Sequence, residues 1–117
     1  MLQVLSHMSA LADPTRCRML LLLEGHELTV SELCAVLQMP QSSVSRHLKT
    51  LADDQWIASR RDATSRFYSM PAEELGETAA RLWPLVREQV AGSKAAGHDA
   101  RRLEGVLARR RATSREF

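Results

Sequence analysis

The sequence is poor in aromatic residues and in cysteine, and it contains no long apolar run. Five of its 117 residues are Phe, Trp or Tyr, a content that suits a helical protein packed with Leu, Val and Ala. Cys17 and Cys34 form no C-x-x-C pair and lie in apolar stretches, so we expect buried free thiols in the cytoplasm, a reducing compartment. No segment approaches the roughly 18 apolar residues of a membrane span, and the N-terminus lacks the basic region of a signal peptide. We therefore expect no membrane partner.

The sequence also lacks the residue sets that carry most enzymatic chemistry. It contains no Ser-His-Asp set, no phosphate-binding loop and no paired carboxylates placed to face a cleft. Its length allows one core, and 44% hydrophobic with 26% charged residues is typical of a globular chain. We therefore predict a folded domain that is not an enzyme and has no catalytic residues, unless the full protein continues beyond Phe117.

The net charge is small, but its distribution is uneven. A formal charge of +2 does not by itself indicate a nucleic-acid partner. Residues 41–66, however, carry five basic and three acidic side chains, whereas residues 1–40 carry two basic and four acidic ones. A basic segment between acidic flanks is the charge pattern of a localised nucleic-acid-binding surface.

Residues 29–57 have the pattern of two short helices around a tight turn. A T-x-x-E capping box begins the first helix, and Pro40 marks the turn, because a helix rarely runs through the residue before a proline. Val44, Leu48 and Leu51 recur at spacings of four and three, so the second helix has one apolar face. This arrangement describes a helix-turn-helix. The alternative is an ordinary helical hairpin in a core.

A basic hairpin is predicted directly after these helices. Residues 56–61 and 67–70 have strand-like content, and a polar turn at 62–65 separates them. Arginines lie at or near the tip, where they can reach a phosphate. The fold class is therefore mainly α with a small β-hairpin wing: a winged helix-turn-helix of about five core helices plus a C-terminal helical tail. We assign residues 1–95 to a DNA-binding and dimerisation domain and residues 96–117 to a basic tail or linker with little to bury against.

The polar face of the second helix and the wing are the candidate DNA contacts. The N-terminal end of a recognition helix meets base edges, Gln can bond adenine bidentately, and Ser can bond any base. The alternative is a merely solvated polar face, and for His47 packing under the wing is an equal alternative. The predicted DNA-binding residues are Gln41, Ser42, Ser43, Ser45, Arg46, His47, Lys49, Arg60, Arg61 and Arg66.

Two amphipathic helices carry more apolar surface than one small domain can cover. The first spans residues 2–12; the second is expected to begin at Pro71, and Pro84 should kink or split it. A symmetric homodimer would bury both apolar faces. The predicted interface residues are Val4, Leu5, Met8, Leu75, Ala79, Leu82, Val86 and Val90.

Over residues 1–95 the sequence resembles the ArsR/SmtB family of bacterial repressors. The resemblance rests on LADPTRCRMLLLL at 11–23, on TVSELCAVLQMPQSSVSRHLKTLADDQWI at 29–57, and on the wing ASRRDATSRFYSM at 58–70. It implies a winged-helix homodimer, built on its first and fifth helices, that binds an inverted-repeat operator in double-stranded DNA. It also implies that a ligand or a metal ion releases the DNA.

The sequence departs from the metal-sensing members of that family. Where arsenite and lead sensors carry C-V-C, this chain has Thr29, Val30 and Ser31. Zinc sensors use Asp and His in the fifth helix, but no histidine occurs between residues 48 and 97. We therefore expect no metal site and no resident cofactor, and a repressor released by a non-metal effector.

The tail HDARRLEGVLARRRATSREF resembles the segment that joins ArsR-type proteins to an S-adenosylmethionine-dependent methyltransferase domain. This second resemblance implies S-adenosylhomocysteine or S-adenosylmethionine as an effector. It leaves two alternatives to a free-standing regulator: the N-terminal regulatory part of a methyltransferase fusion, and a winged-helix module that binds protein.

Overall fold

A computed structural model describes residues 2–115 of the chain, with side chains through residue 113. In this part of the chain helices predominate, and the two strands form one antiparallel hairpin. The elements are α1 (Gln3–Leu11), α2 (Pro14–Gly25), α3 (Val30–Leu37), α4 (Gln41–Asp53), β1 (Ala58–Asp62), β2 (Ser65–Ser69), a short 3-10 turn (Ala72–Glu74), α5 (Glu77–Ala91) and α6 (Lys94–Arg115). This order confirms the predicted winged helix-turn-helix, and none of the described helices is long and apolar enough to cross a membrane.

The helix-turn-helix forms at the residues where the capping box and Pro40 predict it. The Thr29 side chain accepts from the Glu32 amide, and the Glu32 carboxylate accepts from the Thr29 amide at 2.9 Å, which closes the predicted capping box. Gln38 ends α3 in the left-handed conformation, with φ of 57°, and the chain then turns into α4. The apolar face of α4 is buried in the core, where each large side chain contributes about 1.5–3 kcal/mol.

The wing is a tight hairpin whose strands are shifted from the predicted ranges. Ala63 and Thr64 connect the strands, and Ala63 has a positive φ of 56°. Trp56 and Ile57, predicted as the start of the first strand, are instead buried in the core before β1 begins. Tyr68 pairs with Leu28 through two backbone hydrogen bonds of 2.9 and 3.0 Å. The wing is therefore attached to the segment that leads into α3.

The prediction that α5 begins at Pro71 is wrong, and of the two outcomes predicted for Pro84, a kink or a split, the split does not occur. Pro71 precedes a 3-10 turn, and because Leu75 is extended (φ −65°, ψ 142°) the helix begins only at Glu77. Pro84 does not split α5, which runs unbroken from residue 77 to residue 91. Pro84 and Ala80 both lie on the exposed side, so the Ala80 carbonyl that loses its helical donor can bond water.

The expectation that the tail has little to bury against is also wrong. Helix α6 packs against α3, and its Leu103 and Val106 belong to the main core. Asp99 is 2% exposed and forms two 2.8 Å hydrogen bonds with the Arg18 guanidinium of α2. A buried charge pair with this geometry fixes the docking of α6 on α2. The division of the chain at residue 96 stays a prediction.

Candidate nucleic-acid interface

Helix α4 presents a polar face to solvent from its N-terminal end onward. No side chain caps the helix after Pro40, and of its first three N–H groups the Ser43 N–H donates to the Pro40 carbonyl at 3.1 Å; the N–H groups of Gln41 and Ser42, at the positive end of the helix dipole, can therefore bond an anion. The same helix therefore offers side chains that can bond bases and a terminus that can bond phosphate. The predicted residues that are exposed on it are Gln41, Ser42, Ser45, Arg46 and Lys49.

The other two predicted residues of α4 are half-buried. His47 has its Nδ1 atom 3.5 Å from Nη1 of Arg16, so it lies against α2 and not under the wing. Ser43 is less exposed than its neighbours Ser42 and Ser45. These two positions leave the exposed face narrower than the sequence alone indicates.

The register of the hairpin divides the three wing arginines between two faces. Directly opposed residues share a face, and successive residues alternate between faces. Arg61 opposes Arg66, and Ser59 opposes Tyr68; Nη1 of Arg66 also donates to Oγ of Ser59 at 2.9 Å. Tyr68 borders a depression whose other lining residues, including Ser45, belong to α4. Arg61 and Arg66 therefore lie on the side of the wing that faces α4.

Arg60 lies on the opposite face of the wing. Its Nε and Nη2 atoms donate to the two carboxylate oxygens of Glu27 at 2.7 and 2.9 Å. The hydrogen bonds from Arg60 hold the pKa of the Glu27 carboxyl below its ordinary value. The guanidinium carbon also lies 5.2 Å from the centroid of the Phe67 ring. The structure thus separates Arg60 from the two arginines with which the sequence analysis grouped it.

A polar cluster that the sequence analysis missed holds the C-terminal end of α4 to α1. Asp54 follows the last residue of α4 and accepts hydrogen bonds from Ser6 Oγ, from His7 Nδ1 at 2.7 Å and from Trp56 Nε1 at 2.9 Å. Burial alone would raise the pKa of the Asp54 carboxyl, but these hydrogen bonds outweigh burial and hold it below its ordinary value. His7 lies 47 residues from Asp54, so no local signal connects them.

The apolar surface predicted to bind a second copy is partly exposed. Leu5 and Met8 of α1 are each 51% exposed, whereas Ala79 is 3% exposed. Ala79 lies one helical turn before Trp83, whose Nε1 donates to Glu24 of α2, so it faces the core of its own chain and is not available to a partner. The remaining predicted interface residues, Val4, Leu75, Leu82, Val86 and Val90, are half-buried. The most exposed apolar side chain of α5 is Leu85, which the sequence analysis did not include.

The remaining candidate groups are the cysteines and a cavity. Cys17 is buried, its thiol donates to the Leu11 carbonyl at 3.1 Å, and burial raises the pKa of that thiol.

Among residues 2–115 no group of three or more His, Cys, Asp or Glu side chains is arranged to hold a metal ion. A cavity of about 250 Å³ between α2, α5 and α6 has mainly apolar walls, with Leu21 and Leu103 among its lining residues.

Comparison with known proteins finds a family profile and curated transcriptional regulators that are similar to this chain. The family profile described as "Bacterial regulatory protein, arsR family" matches residues 13–54, the segment from the start of α2 to the end of α4. The chain is 34% identical over 68 residues to the transcriptional activator HlyU of Vibrio cholerae, covering 58% of this chain and 63% of that protein. It is 35% identical over 68 residues to a transcriptional repressor SmtB homolog of Synechocystis, covering 58% of this chain and 52% of that protein. The aligned region is thus between half and two thirds of these relatives.

Solved structures with a similar fold include two that superpose on about three quarters of the chain. The transcriptional regulator HlyU of Vibrio vulnificus superposes with a TM-score of 0.60 at 32% identity, covering 73% of this chain and 84% of that one. A fragment from Mycobacterium bovis, described as a homodimeric winged helix-turn-helix DNA-binding domain of a possible ArsR-family regulator, superposes with a TM-score of 0.63 at 28% identity. That match covers 79% of this chain and 82% of the fragment.

Proposed function

Because the chain belongs to the ArsR family of bacterial regulatory proteins, we propose that it is a sequence-specific DNA-binding transcriptional regulator. The observation that carries the proposal is the exposed polar face of α4 beside the face of the wing that holds Arg61 and Arg66. In this arrangement α4 enters the major groove and its Gln41 end meets base edges, while the wing arginines meet phosphate. Such a division gives sequence preference through α4 and salt-dependent affinity through the wing.

The proposed functional unit is a two-fold symmetric homodimer. Leu5 and Met8 of α1 and Leu85 of α5 are exposed apolar side chains on two helices that pack against each other, and an isologous contact would cover both copies of this surface at once. The similar Mycobacterium bovis domain is described as homodimeric. A dimer places its two reading helices roughly 34–36 Å apart, so the proposed operator is an inverted repeat in double-stranded DNA.

We propose repression as the outcome, because blocking an operator requires only these two surfaces. We also propose that the effector is not a metal ion, since Thr29 and Ser31 offer hydroxyl groups where thiolates would be needed.

The cavity between α2, α5 and α6 has room for part of a small organic molecule, and S-adenosylhomocysteine or S-adenosylmethionine is the class proposed. Titration calorimetry with S-adenosylhomocysteine should give saturable heat with this chain or with the extended reading frame; no heat at millimolar ligand from either would exclude this class.

The test of DNA binding is a gel shift with fragments from around the gene at two salt concentrations. The proposal predicts that the protein shifts a fragment that contains an inverted repeat, and that it shifts a smaller fraction of that fragment at the higher salt concentration. A chain that acts as a protein-interaction module would retain no fragment preferentially at either concentration. Arg101, exposed on α6, provides a control for charge loss: Arg101→Ala should leave the shift unchanged, whereas Arg61→Ala should weaken it.

A further inference from the structure

A cluster of charged and aromatic side chains lies behind the wing, on the face opposite Arg61 and Arg66. We call it the wing buttress, and it consists of Glu27, Glu32, Arg60, Phe67 and Arg110. The Phe67 ring of β2 has two guanidinium groups against it, with their carbons 5.2 Å (Arg60) and 5.6 Å (Arg110) from the ring centroid. Both distances are within the range of a cation–π interaction.

Arg110 connects this cluster to α6. Its Nε atom donates to Glu32 Oε2 at 2.9 Å, and its Nη2 atom donates both to the Glu32 carboxylate and to the Glu27 backbone carbonyl. Glu32 is also the capping-box residue of α3. Burial raises the pKa of the Glu32 carboxyl, but the hydrogen bonds from Arg110 and Thr29 hold it below its ordinary value. One side chain of α6 thus contacts the start of α3, the segment before it and the wing.

The wing needs this support because a two-stranded hairpin is marginally stable on its own. All five residues of β1 are exposed, so β1 itself buries nothing in the core. One face of the hairpin is held through Tyr68, beside α4. The other face is held by the wing buttress, where the Arg110 side chain is 37% exposed.

We propose that Arg110 is a positioning residue for DNA binding: from α6 it holds the wing so that Arg61 and Arg66 point toward the DNA backbone. This inference rests on the proposed function. Arg110 is better suited to support than to direct phosphate contact, because its Nε and Nη2 atoms already bond the Glu32 carboxylate and the Glu27 carbonyl. Helix α6 therefore contributes to DNA affinity through the wing and without touching DNA.

The substitution Glu32→Gln distinguishes the two roles by the sign of its effect. Gln at this position preserves the capping box but removes the ion pair, so that the Arg110 guanidinium is held less firmly and keeps its bond to the Glu27 carbonyl. If Arg110 positions the wing, DNA binding weakens. If Arg110 itself contacts phosphate, its release and the loss of a negative charge strengthen binding.

The experiment measures operator binding by fluorescence anisotropy, together with hydrogen exchange of the amides of residues 58–69 in the absence of DNA. For Arg110→Ala we expect binding about three- to fivefold weaker, the upper part of the range for losing a partly exposed ion pair, and faster exchange in the wing. Glu32→Gln should change both in the same direction. In a chain that already carries Arg61→Ala and Arg66→Ala, Arg110→Ala should weaken binding no further. Arg110→Lys retains the positive charge but not the planar guanidinium that bonds a carboxylate through two nitrogens. Its DNA affinity and its exchange rates in the wing should lie between those of wild type and Arg110→Ala.

The control is Arg111→Ala, which removes the same charge from the exposed neighbouring position and should leave exchange in the wing unchanged. Unchanged exchange in Arg110→Ala, tighter binding by Glu32→Gln, or an additive loss in the Arg61→Ala, Arg66→Ala background would each overturn the inference. Because exchange is measured without DNA, it separates the two proposals. A wild-type chain that binds no duplex would refute the proposed function, whatever the wing does.

Discussion

At the scale of single residues, Asp54 connects the C-terminal end of α4 to α1, the helix proposed to form the dimer. Its carboxylate accepts hydrogen bonds from Ser6, His7 and Trp56, and this set of contacts lowers its pKa. A carboxyl whose folded-state pKa is below its unfolded value adds stability that is fully present above the unfolded pKa. That stability is lost as the pH falls through the folded-state pKa.

We therefore expect Asp54→Asn to lower the free energy of unfolding by about 1–3 kcal/mol at neutral pH, the cost of weakening a buried hydrogen-bonded charge. The difference from wild type should shrink as the pH falls below about 4, where Asp54 becomes protonated in the unfolded state, and should be smallest below the folded-state pKa, where it is protonated in both states. Urea denaturation at pH 7 and at successively lower pH measures both quantities. Asp53→Asn is the matched control, because Asp53 forms only an exposed pair with Lys49. An Asp54→Asn effect that is independent of pH would show that the charge of Asp54 is not what stabilises the fold.

At the scale of elements, prediction from the sequence succeeds where the determining contacts are local. The capping box spans four residues and the apolar face of α4 repeats every three or four, so α3, the turn and α4 can be predicted from their own sequences. The hairpin of the wing is similarly local, although its turn comprises residues 63–64 and not the predicted residues 62–65. The start of α5 is not, because the extended conformation of Leu75 interrupts a run that otherwise has helical character.

The packing of α6 could not be predicted either, because the contacts that determine it are not local. Its anchors are pairs between residues far apart in the chain: Asp99 with Arg18 is 81 residues apart, and Arg110 with Glu32 is 78. From the sequence alone, Arg110 belongs to a solvated basic tail. Alternation along β1 predicts that Arg60 and Arg61 lie on opposite faces of the wing. The sequence does not show which face contacts α4, because Glu27, the partner of Arg60, lies 33 residues away.

At the scale of the whole molecule, the exposed apolar surface of α1 and α5 predicts a dimer. Substitution of Leu85 tests the dimer most directly. The side chain is 66% exposed, so its replacement by Glu leaves the core of the monomer intact. We expect Leu85→Glu to sediment as a folded monomer at micromolar concentration, because two copies would each bury an unpaired carboxylate. Ala108→Glu, at an exposed position on α6, should remain dimeric. A wild-type chain that sediments as a monomer would rule out the proposed dimer.

The central claim is that α4 reads sequence and the α4-facing side of the wing binds phosphate. The measurement that tests it most directly is a salt titration of binding to operator and to random duplex for wild type, Gln41→Ala and Arg61→Ala. The account predicts that Gln41→Ala loses about 1–3 kcal/mol of preference for the operator, because its amide no longer bonds a base. It predicts that Arg61→Ala weakens both duplexes alike and reduces the salt slope by about one. If Arg61→Ala instead changes the preference and leaves the slope unchanged, the wing reads bases; if neither change matters, the polar face of α4 is only solvated surface.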